Sequence, residues 1–365
     1  MENNRCDLII IGAGLTGLSL AYYLKDRNWS IKILEARDRI GGRIHTIRSA
    51  GFAPTEMGAT WLGQKHTDLL ELLRALDIDI FEQQLGQTAI YEPISTSPPQ
   101  LVRLPPNDAP SYRIKHGTST LIQQLAESIK NSCDLHLEQA VQSIEVSEKS
   151  VSVRTKTQSF ECKKVVATIP PFLLLKNIHL QPPLPAAMQK VMRQTHTWMG
   201  ESIKVGLHYS TPFWRAKNLS GTIFSSVGPI SELYDHSNFE DNQYALKGFL
   251  NSSYYTLTKD ERLQLVLRQL RKYFGLLADD YLAYEEAIWR KEDFTYQAYE
   301  DHVLPHQNNG HSVFRQQYFN GKFFVAGSET ATAFPGYMNG AVSSARLVAD
   351  FLLEATDKPI TNLCE

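Results

Sequence analysis

Several chemistries are ruled out by what this chain of 365 residues has little of. Its four cysteines, Cys6, Cys133, Cys162 and Cys364, are far apart and form no C-x-x-C pair. Thiols so spread supply neither a disulfide framework nor a zinc site, so they read as reduced and mostly structural, in keeping with a cytoplasmic location. The histidines do not pair at ligand spacing, and no metal site is expected. Neither sign of charge dominates: 37 Lys and Arg stand against 39 Asp and Glu, a formal net charge of -2. A nucleic-acid partner held by counterion release across a strongly basic surface is therefore not expected. No run of about 20 uninterrupted apolar residues is present, which argues against a spanning helix. The polar segment 357–365, with Pro359, offers no membrane anchor. The apolar stretch 8–20 is broken by three glycines and reads as a strand and turn rather than a signal-peptide core. Repeats and low-complexity tracts are lacking too.

What remains is an ordinary globular composition, 42% hydrophobic and 21% charged. The length suggests two domains. Leu8-Ile9-Ile10-Ile11 is an apolar run suited to a strand buried on both faces. A helical stretch over 15–25 follows, then a strand over 30–34, making a compact β-α-β unit. Further helices are predicted over 69–76, 120–130, 263–274 and 338–353. Strands are predicted over 135–137, 141–146, 150–155, 164–169, 203–209 and 322–326. The stretch 91–112 carries six prolines and reads as irregular, with a domain crossing placed there.

The first chemical signal is Gly12-x-Gly14-x-x-Gly17. A glycine triplet alone is weak, but this one follows an apolar strand, opens a helix, and precedes an acidic residue, Glu35, ending the next strand. Gly12 permits the tight turn, Gly14 lets backbone approach a pyrophosphate, and Gly17 lets the helix pack closely on the sheet. The helix start, with Leu15 and Thr16, supplies free N–H groups and partial positive charge for phosphates. Glu35 is suited to accept both hydroxyls of a ribose. A ligand-free strand-to-helix turn explains the glycines but not all four features together. These residues point to a dinucleotide.

Past Glu35 come Ala36, Arg37 and the segment Gly41-Gly42-Arg43, where two glycines permit a second close backbone approach and Arg43 adds a cation. With them the chain resembles the flavin amine oxidase family, which includes monoamine oxidases, polyamine oxidases, L-amino acid oxidases and, more remotely, phytoene desaturases. Later segments resemble it in order: Met57-Gly58-Ala59-Thr60-Trp61, the strand holding Val141, the run ending Thr168-Ile169-Pro170-Pro171, Gly327-Ser328-Glu329-Thr330, and Gly336-Tyr337-Met338-Asn339-Gly340-Ala341. The last block looks most like monoamine oxidases.

The resemblance implies an α/β and α+β fold, in which an FAD-binding Rossmann-like domain is interleaved with a smaller mixed sheet-and-helix substrate domain. The first domain is expected over 1–77, 112–193 and 290–356, the second over 78–111 and 194–289. It also implies that these matched residues, with Trp289, lie at FAD, and that Glu329 bonds the ribityl chain. The opening of the last helix would face the flavin pyrimidine edge and stabilise the reduced ring. Lys204 matches the lysine that holds a water near flavin N5; a lone lysine in an alternating strand would otherwise face solvent. Tyr299 and Tyr337 match the aromatic pair that sandwiches the amine, a cage suited to it through electron-rich ring faces.

The implied reaction is hydride transfer from the α-carbon of an amine to flavin N5, then imine hydrolysis and reoxidation by oxygen to hydrogen peroxide. Two departures qualify it. Ala298 stands where monoamine oxidases carry the flavin-linking cysteine, so FAD is expected to be non-covalent. The region between the helix at 69–76 and residue 113 is short, leaving a cavity wall open or covered by a second subunit in a homo-oligomer. Oxidation of an amino acid, a dihydronicotinamide-like compound or an isoprenoid stays open as an alternative. So does a flavin-binding protein without catalysis.

Overall fold

The computed structural model describes residues 4–105 and 108–357, so most of the polar end segment, with Pro359 and Cys364, lies outside the described residues. The apolar run expected to make a strand does so as Arg5–Ile11, whose last four residues are buried. It pairs in parallel with Ile31–Leu34 on one side and Ser159–Ala167 on the other. Cys133–His136 extends the parallel set beyond Ile31–Leu34. Ser159–Ala167 is long enough to fork. Its second half pairs in parallel with Phe323–Val325, and its first half pairs antiparallel with Val151–Thr155. Val141–Val146 and His179–Gln181 complete this sheet of eight strands.

Helices cover the parallel part on one side. Leu15–Leu24, Ser119–Ile129 and Met338–Asp357 pack together there through Leu18, Leu125 and Val342. Gly17 is what lets the first of these lie so close. A Cβ on Gly17 would sit 2.0 Å from the Gly12 carbonyl oxygen. Gly12 itself adopts φ +103°, a left-handed conformation that favours glycine.

A second sheet runs in the order Tyr281–Ile288, Ile203–Tyr209, Tyr244–Leu250, Ile230–Asp235, Leu219–Ser225, Thr88–Glu92, Gln100–Arg103. One face packs Val205, Leu207, Leu246 and Leu233 against Val266, Leu267 and Leu270 of the helix Lys259–Phe274. That helix starts at a capping box in which Thr258 and Glu261 satisfy each other's backbone N–H groups. The opposite face meets the first sheet's connections. Thr55 and Met57 lie against Gly206, where a Cβ would be 2.5 Å from Thr55 Cγ2.

One reading changes here, and one alternative falls away. The proline-rich stretch 91–112 is not wholly irregular: Gln100–Arg103 fits between Pro99 and Pro105 and pairs antiparallel with Thr88–Glu92 as an edge strand. All seven residues of Ile203–Tyr209 are buried, so Lys204 does not face solvent, because both faces of this strand are covered.

Gly17→Ala should destabilise the chain by about 1–3 kcal/mol through forced displacement of the helix from the Gly12 turn. Thermal unfolding of the variant measures this; an unchanged Tm would show that the helix start has room to move.

Candidate active site

Four parallel strands end at one place. Ile11, Leu34 and Thr168 lie at or just past the ends of three of them and line a cavity of about 690 Å³. Gly327 follows the fourth, Phe323–Val325. Ligands of open α/β sheets bind outside such carboxyl ends. The two glycine turns face each other across this end: the Gly41 N–H donates to the Ala13 carbonyl at 2.9 Å, and a Cβ on Gly42 would come within 3.3 Å of Gly14 Cα. Side chains there would fill the space that Gly12, Gly14 and Gly42 leave along the cavity. Leu15 and Thr16, at the start of the first helix, line the same end.

Glu35 is buried, and each of its oxygens accepts one backbone N–H, from Ala13 at 2.8 Å and Arg37 at 2.9 Å. One lone pair on each oxygen remains for a ribose hydroxyl. Ala36, Arg37 and Val141 line this region. The Arg37 guanidinium is tethered to Glu292 at 3.3 Å and to Thr295 Oγ1 at 2.8 Å. This cradle fits the adenosine and diphosphate portions of a dinucleotide.

Arg43 and Glu329, expected to meet the cofactor separately, are bonded to each other. Arg43 donates to both Glu329 oxygens, at 2.5 and 2.9 Å, and to Ser328 Oγ at 3.0 Å. Burial pushes the Glu329 carboxyl up, but Arg43 and Ser328 outweigh it and hold it below the usual range. Ser328 and Arg43 line the cavity, with Glu329 and Gly327 behind them. Met338 and Ala341 bring the start of the last helix to the wall.

The far end is built by the second sheet. Lys204 lines the cavity and donates to the Gly58 carbonyl. Burial lowers its amine to about 7, with Glu56 opposing the shift. A second buried lysine, Lys247, was not anticipated. It donates to Thr60 Oγ1 and lies 4.2 Å from the Trp61 ring centroid. Both lysine nitrogens flank one Phe249 ring, at 5.0 and 5.3 Å. Burial, then Lys204, drives Lys247 well below its usual value. The signal was a single charge inside the otherwise uncharged strand Tyr244–Leu250. Ala59, Thr60 and Trp61 line the cavity; Gly58 and Trp289 stand behind it, the Trp289 indole donating to the Met57 carbonyl at 2.6 Å.

The aromatic pair taken from the resemblance is not assembled as a cage. Tyr337 lines the cavity, but Tyr299 does not. Tyr299 packs on Phe172 at 4.5 Å, and its hydroxyl accepts from the Thr197 N–H at 2.8 Å and donates to the Thr195 carbonyl at 3.3 Å. It therefore supports the segment bearing Trp198, which does line the cavity. Trp198 and Tyr337 are linked through the parallel ring of His306, at 4.9 and 6.4 Å. Glu232, also unanticipated, places a half-buried carboxylate on the wall beside Phe249, and Tyr234 donates to it at 2.8 Å.

A dinucleotide cradle continuous with a cavity walled by the buried Lys204 amine and aromatic rings defines a nucleotide-cofactor oxidoreductase. The family described as flavin containing amine oxidoreductase matches residues 15–93 and 95–353, and the chain belongs to it. It is thus an FAD-dependent amine oxidoreductase. Amine oxidase [flavin-containing] B of Homo sapiens is 25% identical, across 98% of this chain and 88% of the relative. Among solved structures, putrescine oxidase bound to putrescine superposes with TM-score 0.82 at 22% identity, over 96% of this chain and 99% of that one. Cyclohexylamine oxidase from Brevibacterium oxydans gives 0.83 at 20%, over 97% and 100%. No helix among the described residues is long and apolar enough to cross a membrane.

The buried lysines set a pH dependence. Between about 7 and the ordinary lysine value of 10.5, the unfolded chain keeps a proton on Lys204 that the folded chain releases. Stability should climb across that window, with the penalty constant below it. Lys247→Met removes one such amine while keeping an unbranched side chain. Its Tm should exceed that of the wild type at neutral pH, and its rise with pH should be shallower. Melting curves across this range check both, and a lower Tm for the variant would count against the cost assigned to Lys247.

Proposed function

We propose that this chain oxidises a primary amine at the α-carbon, with the amine held between Tyr337 and Trp198 next to Lys204. The observation that carries this reading is the unbroken cavity, which runs from the glycine cradle and Glu35 to Lys204 and Tyr337. Bound FAD supplies a two-electron acceptor. The protein's own part is to orient the amine against the aromatic walls, screen it from water, and hold the Gly58–Thr60 strip in place through Lys204 and Lys247. Ala298 leaves no thiol for covalent attachment at that position, so the reading includes a dissociable FAD. Oxygen as final acceptor, giving hydrogen peroxide, is supported by the relatives named as oxidases. The roles of Lys204, Tyr337 and the supporting Tyr299 belong to this proposal.

Glu232 favours an amine with a second positive charge. No ion pair reaches its carboxylate among the described residues, so it is open to a distal ammonium. One structural relative is bound to putrescine, a compound of that kind.

Anaerobic bleaching of the bound flavin with a panel of monoamines, diamines, amino acids and reduced nicotinamides tests the reaction. Bleaching by amines alone is expected, and none by any amine sinks the reading. Glu232→Gln should raise KM for diamines by roughly tenfold or more while sparing monoamines, as loss of a charge-assisted contact of about 1.5–3 kcal/mol does. Glu35→Ala should weaken FAD binding by a similar factor. Flavin fluorescence after gel filtration reads it, and unchanged occupancy removes the ribose role.

A further inference from the structure

No thiol takes part in the proposed reaction, yet two cysteines are neighbours. Cys6 of Arg5–Ile11 and Cys162 of Ser159–Ala167 are direct partners in the parallel pairing of these strands. Both belong to the same side of the sheet, packed with Ile9, Phe160 and Val165. Neighbouring strands lie about 4.8 Å apart, within the Cα separation of about 4.4–6.8 Å that a disulfide spans. Both thiols are free.

The two are not equivalent. Cys6 is partly exposed, whereas Cys162 is buried at 2%. Cys6 sits near Lys32, whose ammonium is bonded to Asp134 at 2.7 Å. Cys6 Sγ donates to the Glu161 carbonyl at 3.9 Å and Cys162 Sγ to the Val151 carbonyl at 3.6 Å. The neighbouring Cys162 side chain holds the Cys6 thiol below its usual value, with burial and the carboxylates of Asp7 and Asp134 opposing and Lys32 assisting. That same proximity, with burial, pushes the Cys162 thiol well up. A partly exposed sulfur paired across two strands with a buried, protected thiol is the arrangement of a reactive and a resolving cysteine.

We propose that Cys6 and Cys162 form a hydroperoxide-reactive dithiol site, closing to a disulfide between two central strands of the first sheet. The Cys6 thiolate attacks one peroxide oxygen, the O–O bond breaks, and Cys6 becomes a sulfenic acid as hydroxide leaves and takes a proton. Cys162 sulfur then attacks Cys6 sulfur; the S–S bond forms, the S–O bond breaks, and water departs with the Cys162 proton. Two thiols are oxidised by two electrons, and hydrogen peroxide is reduced to two waters. The bond would join the strand that leads to Gly12 to the strand that leads to Thr168. The site depends neither on the substrate of the enzyme nor on its flavin.

The test treats full-length holoenzyme with hydrogen peroxide, blocks remaining thiols by alkylation, and maps unreduced peptides by mass spectrometry. A linked peptide pair carrying Cys6 and Cys162, released by reductant, is expected. In Cys162→Ser the Cys6 sulfenic acid should persist and be trapped by dimedone. In Cys6→Ser, Cys162 should stay reduced under the same exposure. If Cys162→Ser does not fold, Cys162→Val fills the apolar site and serves the same purpose. Sulfinic acid on Cys6 without a linked pair in the wild type would overturn the proposal. So would loss of the Cys162 thiol in Cys6→Ser at the wild-type rate, or two unreacted thiols at a dose that oxidises free glutathione.

Discussion

The centre of the cavity depends on one carboxylate with no exposed surface. Glu329 cannot remain charged in that position without a partner, and Arg43 provides one through both oxygens. The pair ties the chain after the second strand to the turn after Phe323–Val325. A third segment joins through the Trp198 carbonyl, which accepts from Arg43 at 3.1 Å. Segments distant in sequence therefore meet at a single guanidinium. Arginine suits this role because its planar fork binds a carboxylate twice and still has donors to spare. The aromatic wall, the glycine cradle and the start of the last helix keep their mutual positions through it.

The second sheet solves a different problem. Its face toward Lys259–Phe274 is dry, made by Val205, Leu207, Leu246 and Leu233. The opposite face carries Lys204, His208, Glu232, His236, Lys247 and Phe249, with all but Glu232 and Phe249 buried. Its polar groups find partners in the strand Thr55–Glu56. His208 Nε2 lies 3.1 Å from Thr55 Oγ1 and 3.3 Å from Glu285, and the Glu56 N–H donates to His236 Nε2 at 3.3 Å. A sheet with one oily and one polar face usually turns the polar one to water. Here that face is turned inward and forms part of the site.

That inversion explains which elements were legible in the sequence. Continuous apolar runs such as Leu8–Ile11, and strict periodicity such as the last helix, identify themselves wherever they sit. The glycine spacing and Glu35 locate the cradle because phosphate approach demands them at those positions. Leu219–Ser225, Ile230–Asp235 and Tyr244–Leu250 carry Ser, Thr, Glu and Lys on a buried face, so their pattern reads as loop or exposed strand. Lys204 was found only through the resemblance, and Lys247 lacked even that. Tyr299 shows the converse limit. A matched residue type marks a place in the chain, while the direction of its ring depends on the hydrogen bonds that Thr195 and Thr197 offer.

One lysine on the cavity wall and a second behind it look at first like a contradiction, since ammonium groups would repel an ammonium substrate. Burial resolves it. Glu56 is the carboxylate that supports both lysines, but its oxygens are taken by the Thr118 N–H and the Thr46 hydroxyl, and burial holds its own carboxyl up. With so little negative charge to share, burial lowers both amines, Lys204 to about 7 and Lys247 well below its usual value. The wall then presents N–H donors to Gly58 and Thr60 without adding two full cations. Beside those lysines, the Glu232 carboxylate places negative charge on the cavity wall. The cost in stability of burying the two lysines and the attraction for an amine thus arise from the same desolvation.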